Sequence, residues 1–335
     1  MLIGFAITEH CNLRCPHCIR DDVTHVRSLE PDLIASVLDE ARSMFGSVVA
    51  SFTGGEPLLH SQFDTILEHC ATRDVPYRFV SNGWHIKRVI PALRRFPPAA
   101  VRLSLSGASA ATHDTDRGRG SFERVLLAVA LLTNERIPAY LSIVIDRRNR
   151  HELRAAADLA EQLGCVGIGY ILPQPTPGSA ARDSDLGPEE WLPTTLAVEE
   201  LGREADRQSK VFLEYGHPYE GAEQLCETFT FDRIYVDTQG RLCTCCQLSN
   251  FGFNEIEVVA DLRTTSLADA YDRYERRVRA LQKAQRSDPA SPRMTDPFPC
   301  LRCCAVSGKL DWLAEHPVST WYQAVPLKRS AARSA

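Results

Sequence analysis

The first two-thirds of the sequence predict an α/β fold built on a parallel sheet, and two observations carry that prediction. Short apolar runs recur at Leu2–Thr8, Ser47–Thr53, Tyr77–Ser81, Val101–Ser106, Tyr140–Ile145 and Val166–Leu172. Many of their residues are β-branched, as expected of strands buried on both faces. Amphipathic stretches with helical spacing separate them. Six β-α repeats with right-handed crossovers give either a partial or full β/α barrel or a doubly wound sheet.

In chain order, Leu33, Ile34, Val37, Leu38, Ala41 and Phe45 fall on one face of a first helix, with Ser28 as its expected N-cap and Pro31 in its first turn. Ser121–Asn134 and His151–Leu163 read the same way, the latter stopping at Gly164. Pro173–Pro188, rich in Pro, Gly and Ser, is expected to be a loop before a helix over Glu189–Gln208. The pattern then changes. Arg233–Asp237 and Arg241–Cys245 flank Thr238-Gln239-Gly240 like the arms of a hairpin. A helix is expected over Leu267–Lys283, followed by a Pro-rich loop from Ser287 to Pro299. These shifts divide the chain into a core over residues 1–215, a second domain over 216–322 and a small, basic tail over 323–335 expected to be disordered.

Composition narrows the function. The chain has 335 residues, 44% of them hydrophobic, and a formal net charge of −5. No apolar run approaches the roughly 20 residues of a membrane-spanning helix. The N-terminus has neither a basic region nor a small-residue cleavage site, so no secretory signal is read and a cytoplasmic location is expected. A mildly acidic chain without a basic block is not expected to bind nucleic acid.

The distinguishing feature is 12 Cys. Cys11, Cys15 and Cys18 form one knot, and Cys226, Cys243, Cys245, Cys246, Cys300, Cys303 and Cys304 all lie in the last third. Cys70 and Cys165 stand alone in apolar patterns and read as packing residues. Such clustering indicates metal or iron–sulfur ligation rather than a disulfide framework. Three thiolates on a short loop after the first strand can hold three irons of a [4Fe–4S] cube and leave the fourth open. A zinc site completed by His10 or His17 is the alternative.

The C-x3-C-x2-C spacing resembles that of radical S-adenosylmethionine (SAM) enzymes, and the likeness extends along the chain. Thr53-Gly54-Gly55-Glu56-Pro57 matches the family's GGE segment after strand two. Ser81-Asn82-Gly83 matches a small polar turn after strand three. Ser104-Leu105-Ser106-Gly107, with the stretch from His113 to Phe122, resembles strand four and its following loop. The resemblance implies a partial (β/α)6 barrel, with Cys11, Cys15 and Cys18 as cluster ligands. It implies a SAM site of Gly54, Gly55, Glu56, Asn82, Ser104 and Ser106, in which Glu56 receives the methionine ammonium. Many relatives carry Asp where Ser106 stands. The implied chemistry is reductive cleavage of SAM to a 5′-deoxyadenosyl radical that abstracts a substrate hydrogen, so no His needs a catalytic role.

Cys226 is followed by thirteen residues, Gly240, four residues and Cys245, with Cys300-Leu301-Arg302-Cys303 later. This resembles the auxiliary-cluster domain of the SPASM and shorter twitch groups. It implies a C-terminal α+β domain in which Cys226, Cys245, Cys300 and Cys303 hold a second [4Fe–4S] cluster, with Cys246 as the alternative to Cys245. The spare thiols adjoin assigned ligands, so one auxiliary cluster is expected rather than two. A structural zinc ribbon is the plain alternative. Cys304 and Cys243 are candidate hydrogen-atom donors, set against a simpler reading as small buried hydrophobes.

The resemblance implies oxidation, cross-linking or epimerisation of a ribosomally made peptide or of a small polar molecule such as an aminocyclitol. A flavodoxin or ferredoxin would supply electrons. The chain starts at its first strand, so a leader-binding domain is expected to be absent and a separate peptide-recognition protein could take its place. Glu214, Tyr215, His217 and Tyr219 are candidate substrate contacts at the domain junction. The competing readings are a non-catalytic iron–sulfur scaffold or electron carrier, and a zinc-binding module.

Overall fold

In a computed structural model of the chain, the described residues are 1–19, 26–173, 184–214, 226–246, 257–287, 299–308, 310–319 and 321–322. Seven parallel strands follow one another across the sheet: β1 (Leu2–Thr8), β2 (Val49–Gly54), β3 (Tyr77–Ser81), β4 (Ala100–Leu105), β5 (Ala139–Val144), β6 (Gly167–Ile171) and β7 (Lys210–Leu213). On the other side of β1, β8 (Arg233–Val236) pairs with it in parallel, and β9 (Arg241–Cys243) and β10 (Val258–Asp261) continue antiparallel. The order β10-β9-β8-β1-β2-β3-β4-β5-β6-β7 makes one open sheet, a barrel left incomplete. The cysteine-rich C-terminal segment therefore extends the same sheet through β8.

The helices are α1 (Pro31–Phe45), α2 (Phe63–Thr72), α3 (Ile86–Arg95), α4 (Ala110–Arg117), α5 (Ser121–Asn134), α6 (Leu153–Gln162), α7 (Pro188–Gly202), α8 (Leu267–Ser287) and α9 (Pro299–Val306). No helix among the described residues is long and apolar enough to cross a membrane.

Side chains alternate strictly along the strands. Ile3, Phe5, Ile7, Phe52, Phe79, Leu103, Leu141, Ile168 and Ile234 form the core with Ile34 and Leu38 of α1 and Val125 and Val129 of α5. The opposite, inner face carries Gly4, Ala6, Ser51, Arg78, Arg102, Ser104, Ser142, Gly169 and Arg233. This corrects the expectation of two apolar faces: the inner face mixes these small and polar residues with Val80, Tyr140 and Tyr235.

Several element boundaries differ from the sequence reading. Ser28 is not the α1 N-cap. Glu30 occupies that position without a side-chain bond, while Ser28 Oγ lies 2.9 Å from Thr8 Oγ1. Pro31 opens the helix as expected. The helix expected over Glu189–Gln208 ends at Gly202, where a Cβ would crowd the Val211 carbonyl. Lys210–Leu213 forms β7, a strand the sequence did not reveal. The helix expected from His151 begins as a 3-10 turn over Arg150–Glu152 before α6, and Gly164 follows α6 with φ +71°. The hairpin forms as β8 and β9, and its turn uses Gly240 at φ +74°. The expected loop after Pro173, the Ser287–Pro299 loop and the 323–335 tail lie largely or wholly outside the described residues.

Candidate active site

The parallel strands point their C-terminal ends at one rim of the barrel, where α/β enzymes place chemistry. At the end of β1, the chain turns into Cys11-Asn12-Leu13-Arg14-Cys15-Pro16-His17-Cys18. Cys11 lies at the surface, with Cys15 and Cys18 half-buried. The Cys18 N–H donates to the Cys15 carbonyl at 3.1 Å, closing a turn between two of the sulfurs. Lost hydration pushes the Cys11 thiol up to about 11, against the Leu13 N–H that donates to its sulfur at 3.4 Å. Glu56, Cys15 and Cys18 add repulsion. Burial likewise raises Cys15, opposed by the Arg117 guanidinium.

β2 ends against this loop. The Gly55 N–H donates to the Thr8 carbonyl and the Glu56 N–H to the His10 carbonyl, both at 2.7 Å. A Cβ at Gly54 would collide with Thr8 and one at Gly55 with the His10 carbonyl. The two glycines thus let β2 press against the backbone that leads into Cys11. Glu56 is buried at 1% exposure. It accepts from Leu58 N–H at 3.2 Å, Ser81 Oγ at 2.9 Å and Asn82 N–H at 2.7 Å. Burial still outweighs these bonds and pushes its carboxyl up to about 7. A cation beside it would restore the charge.

Asn82 completes a bridge that the sequence did not reveal. Its side-chain amide donates to Asn12 Oδ1, inside the cysteine loop, at 2.9 Å, and its own Oδ1 accepts from Trp84 N–H at 3.0 Å.

Ser104 lies on the inner face of β4 opposite Ser142 of β5. Ser106 is buried, and its hydroxyl accepts from Arg117 Nε at 2.7 Å. Arg117 Nη2 lies 3.3 Å from His17 Nε2, and His17 Nδ1 lies 3.3 Å from Asp116 Oδ2. Asp116 in turn meets Arg148 at 2.7 Å. Helix α4, unforeseen in the sequence, thereby ties the end of β4 to the cysteine loop. Arg117 and Asp116 stand within the stretch singled out after strand four, but only the helix turns them toward His17.

The C-terminal thiols also gather. Burial raises Cys300 well above the ordinary thiol range, and Cys226, Cys303, Cys304 and Cys246 add repulsion to it. Cys226 is raised by burial, and Cys246 contributes. Cys246 packs beside Cys243 on the inner face, whereas Cys245 packs against the main core. Cys243 is buried with Sγ 3.6 Å from the Arg241 carbonyl, and Cys304 is buried in the main core. Cys70 and Cys165 are core residues, as expected. Glu214 reaches the inner face and pairs with Arg102, while Tyr215, His217 and Tyr219 lie outside the described residues.

Both thiol sets fit iron–sulfur cubes. Desolvated thiolates that repel one another need a cationic centre. Among the described residues, no three Cys, His, Asp or Glu side chains gather about one point closely enough for a single ion. A cube gives each sulfur its own iron.

The Radical SAM superfamily model matches residues 5–160. An AdoMet-dependent heme synthase of Methanosarcina barkeri is 27% identical over 62% of this chain and 60% of its own length. The mycofactocin maturase MftC of Mycolicibacterium smegmatis is 32% identical over 49% of this chain and 42% of its own. The chain thus spans less than two-thirds of either curated relative. The structure of SuiB from Streptococcus suis bound to the precursor peptide SuiA superposes with a TM-score of 0.71 at 12% identity, covering 91% of this chain and 72% of SuiB. The family match runs from the strand that feeds the cysteine loop past the helix that carries Arg117, and residues 5–160 of this chain form a radical SAM domain.

Proposed function

We propose that this chain is an enzyme that cleaves SAM reductively and abstracts a hydrogen atom from a polar substrate, a peptide in the first instance, held inside the barrel. When bound, a [4Fe–4S] cluster with one open iron supplies the electron that breaks the sulfonium and releases the 5′-deoxyadenosyl radical. Cys11, Cys15 and Cys18 would hold that cluster. Glu56 would bind the methionine ammonium through a charge-assisted hydrogen bond. Gly54 and Gly55 set its distance from the cysteine loop, and Asn82 and Ser106 hold the surrounding rim through Asn12 and Arg117.

The observation that carries this reading is the buried Glu56 carboxylate, fixed by Ser81 and Asn82, with Asn82 bonded directly into the cysteine loop. We assign residues 1–215 to the radical SAM core and 216–322 to an auxiliary-cluster region, in which Cys226, Cys300 and Cys303 with Cys246 or Cys245 hold a second cube. A flavodoxin or ferredoxin would reduce the protein. A peptide substrate is supported by the polar residues of the inner face and by the fold shared with a protein solved with its precursor peptide. Anaerobically reconstituted protein incubated with SAM and dithionite should form 5′-deoxyadenosine. None formed by fully iron-loaded protein would overturn the reading in favour of a scaffold or electron carrier.

A further inference from the structure

The inner face of the barrel holds a charge arrangement that SAM binding leaves unused. Arg78 of β3, Arg102 of β4 and Arg233 of β8 all occupy inner-face positions of their strands. Arg102 has its own carboxylate, Glu214, and its guanidinium carbon lies 5.7 Å from the centre of the Phe212 ring. Arg233 has Glu227 at 3.1 Å and neighbours Cys246. Its buried Nε nevertheless has no hydrogen-bond partner among the described residues. Arg78 differs from both. It donates through Nε to Ser51 Oγ at 3.4 Å, and no described carboxylate comes within ion-pair distance of it.

These groups face a hollow. Arg102, Arg233 and Glu214 keep 28%, 26% and 18% of their side-chain surface, although each projects inside the barrel. Gly4 and Gly169 leave room for them: a Cβ at Gly4 would touch Tyr235 and approach Arg233, and one at Gly169 would collide with Glu214. Among the described residues, three guanidiniums oppose two carboxylates, and Arg78 is the cation with no described carboxylate paired to it. Burial lowers the Arg78 pKa and the neighbouring Arg102 and Arg233 lower it further, against a smaller opposing pull from Glu227 and Glu214. An arriving anion relieves both effects.

We propose that Arg78 recognises a carboxylate of the substrate, an acidic peptide side chain, between Arg102 and Arg233. One unmatched guanidinium among the described residues suits a monoanion, and a phosphate dianion would overshoot it. Arg78 lies three residues before Ser81, about 10 Å of strand below the Glu56 rim. The carboxylate would enter deepest and present carbons nearer the rim to the radical. This assignment rests on the proposed function, because it assumes a substrate held in the barrel.

The test uses iron-loaded protein with SAM and three capped tripeptides, acetyl-Gly-X-Gly-amide, in which X is glutamate, glutamine or phosphoserine. Binding is followed by saturation-transfer NMR. The glutamate peptide should bind about tenfold tighter than the glutamine peptide, as a charged hydrogen-bond pair provides. Arg78→Gln should abolish that ratio and Arg78→Lys should keep most of it, with iron per chain unchanged in both. Should Arg78→Gln lose iron, the wild-type and Arg78→Lys ratios decide. Equal binding of glutamate and glutamine, tightest binding of phosphoserine, or a ratio that survives Arg78→Gln overturns the assignment. Wild-type protein that forms no 5′-deoxyadenosine yet prefers glutamate would refute the enzymatic reading and leave the carboxylate assignment standing.

Discussion

Asn82 at the end of β3 donates its side-chain amide to Asn12 Oδ1 at 2.9 Å, joining two positions 70 residues apart. The same residue's backbone N–H holds Glu56 at 2.7 Å, so one residue couples the carboxylate to the cysteine loop. Removing the side chain should free the loop by breaking its bonds to Asn12 and Trp84. Asn82→Ala should weaken SAM binding about fivefold, in line with a loss of about 1 kcal/mol for a neutral hydrogen bond. Equilibrium binding to iron-loaded protein measures it.

Glu56 is the anion in the rim, and its loss should cost more. Glu56→Gln keeps the shape and removes the charge that would meet an ammonium. SAM affinity should fall about 10- to 100-fold, with cluster content retained. Calorimetric titration of both proteins checks the ratio.

His113 predicts a pH dependence of stability. Its Nδ1 accepts from the Ser106 N–H at 3.1 Å, and burial, aided by Arg117, lowers its pKa to about 3 from the usual 6.5. Between these values the unfolded chain binds a proton that the folded chain refuses, so stability falls as pH drops below about 6.5. The loss should be about 2 kcal/mol between pH 6.5 and 5. Urea denaturation at the two pH values should show a smaller drop in His113→Gln.

Legibility in the sequence followed the range of the interaction. The strands through β6 were readable because apolar runs mark them locally, and the cysteine loop and Gly54-Gly55-Glu56 because their spacing is compact. β7 was not, since Lys210-Val211-Phe212-Leu213 gains its identity only by pairing with β6. Arg78 and Arg102 sat inside apolar runs, and nothing local tells which strand face turns inward. The Asn12–Asn82 and Arg117–Ser106 bonds join segments far apart in sequence, which spacing cannot encode. Ser28 looked like a cap by residue type, but its hydroxyl is taken by Thr8.

The thiols after β9 can be told apart by iron content. Cys246 neighbours both Cys226 and Cys300, while Cys245 shares Tyr274 as a neighbour with Cys226 and, like Cys300, packs against the core. Cys246→Ala should lose about half of the iron of reconstituted protein, and Cys245→Ala should retain nearly all of it. The reverse pattern would assign Cys245 as the ligand.

The most direct measurement is electron paramagnetic resonance of the anaerobically reduced protein with and without SAM. The account predicts a reduced [4Fe–4S] signal that SAM perturbs, and loss of that SAM-sensitive signal when Cys11, Cys15 and Cys18 are replaced by Ala. Zinc in place of iron, or a cluster signal indifferent to SAM, would contradict it.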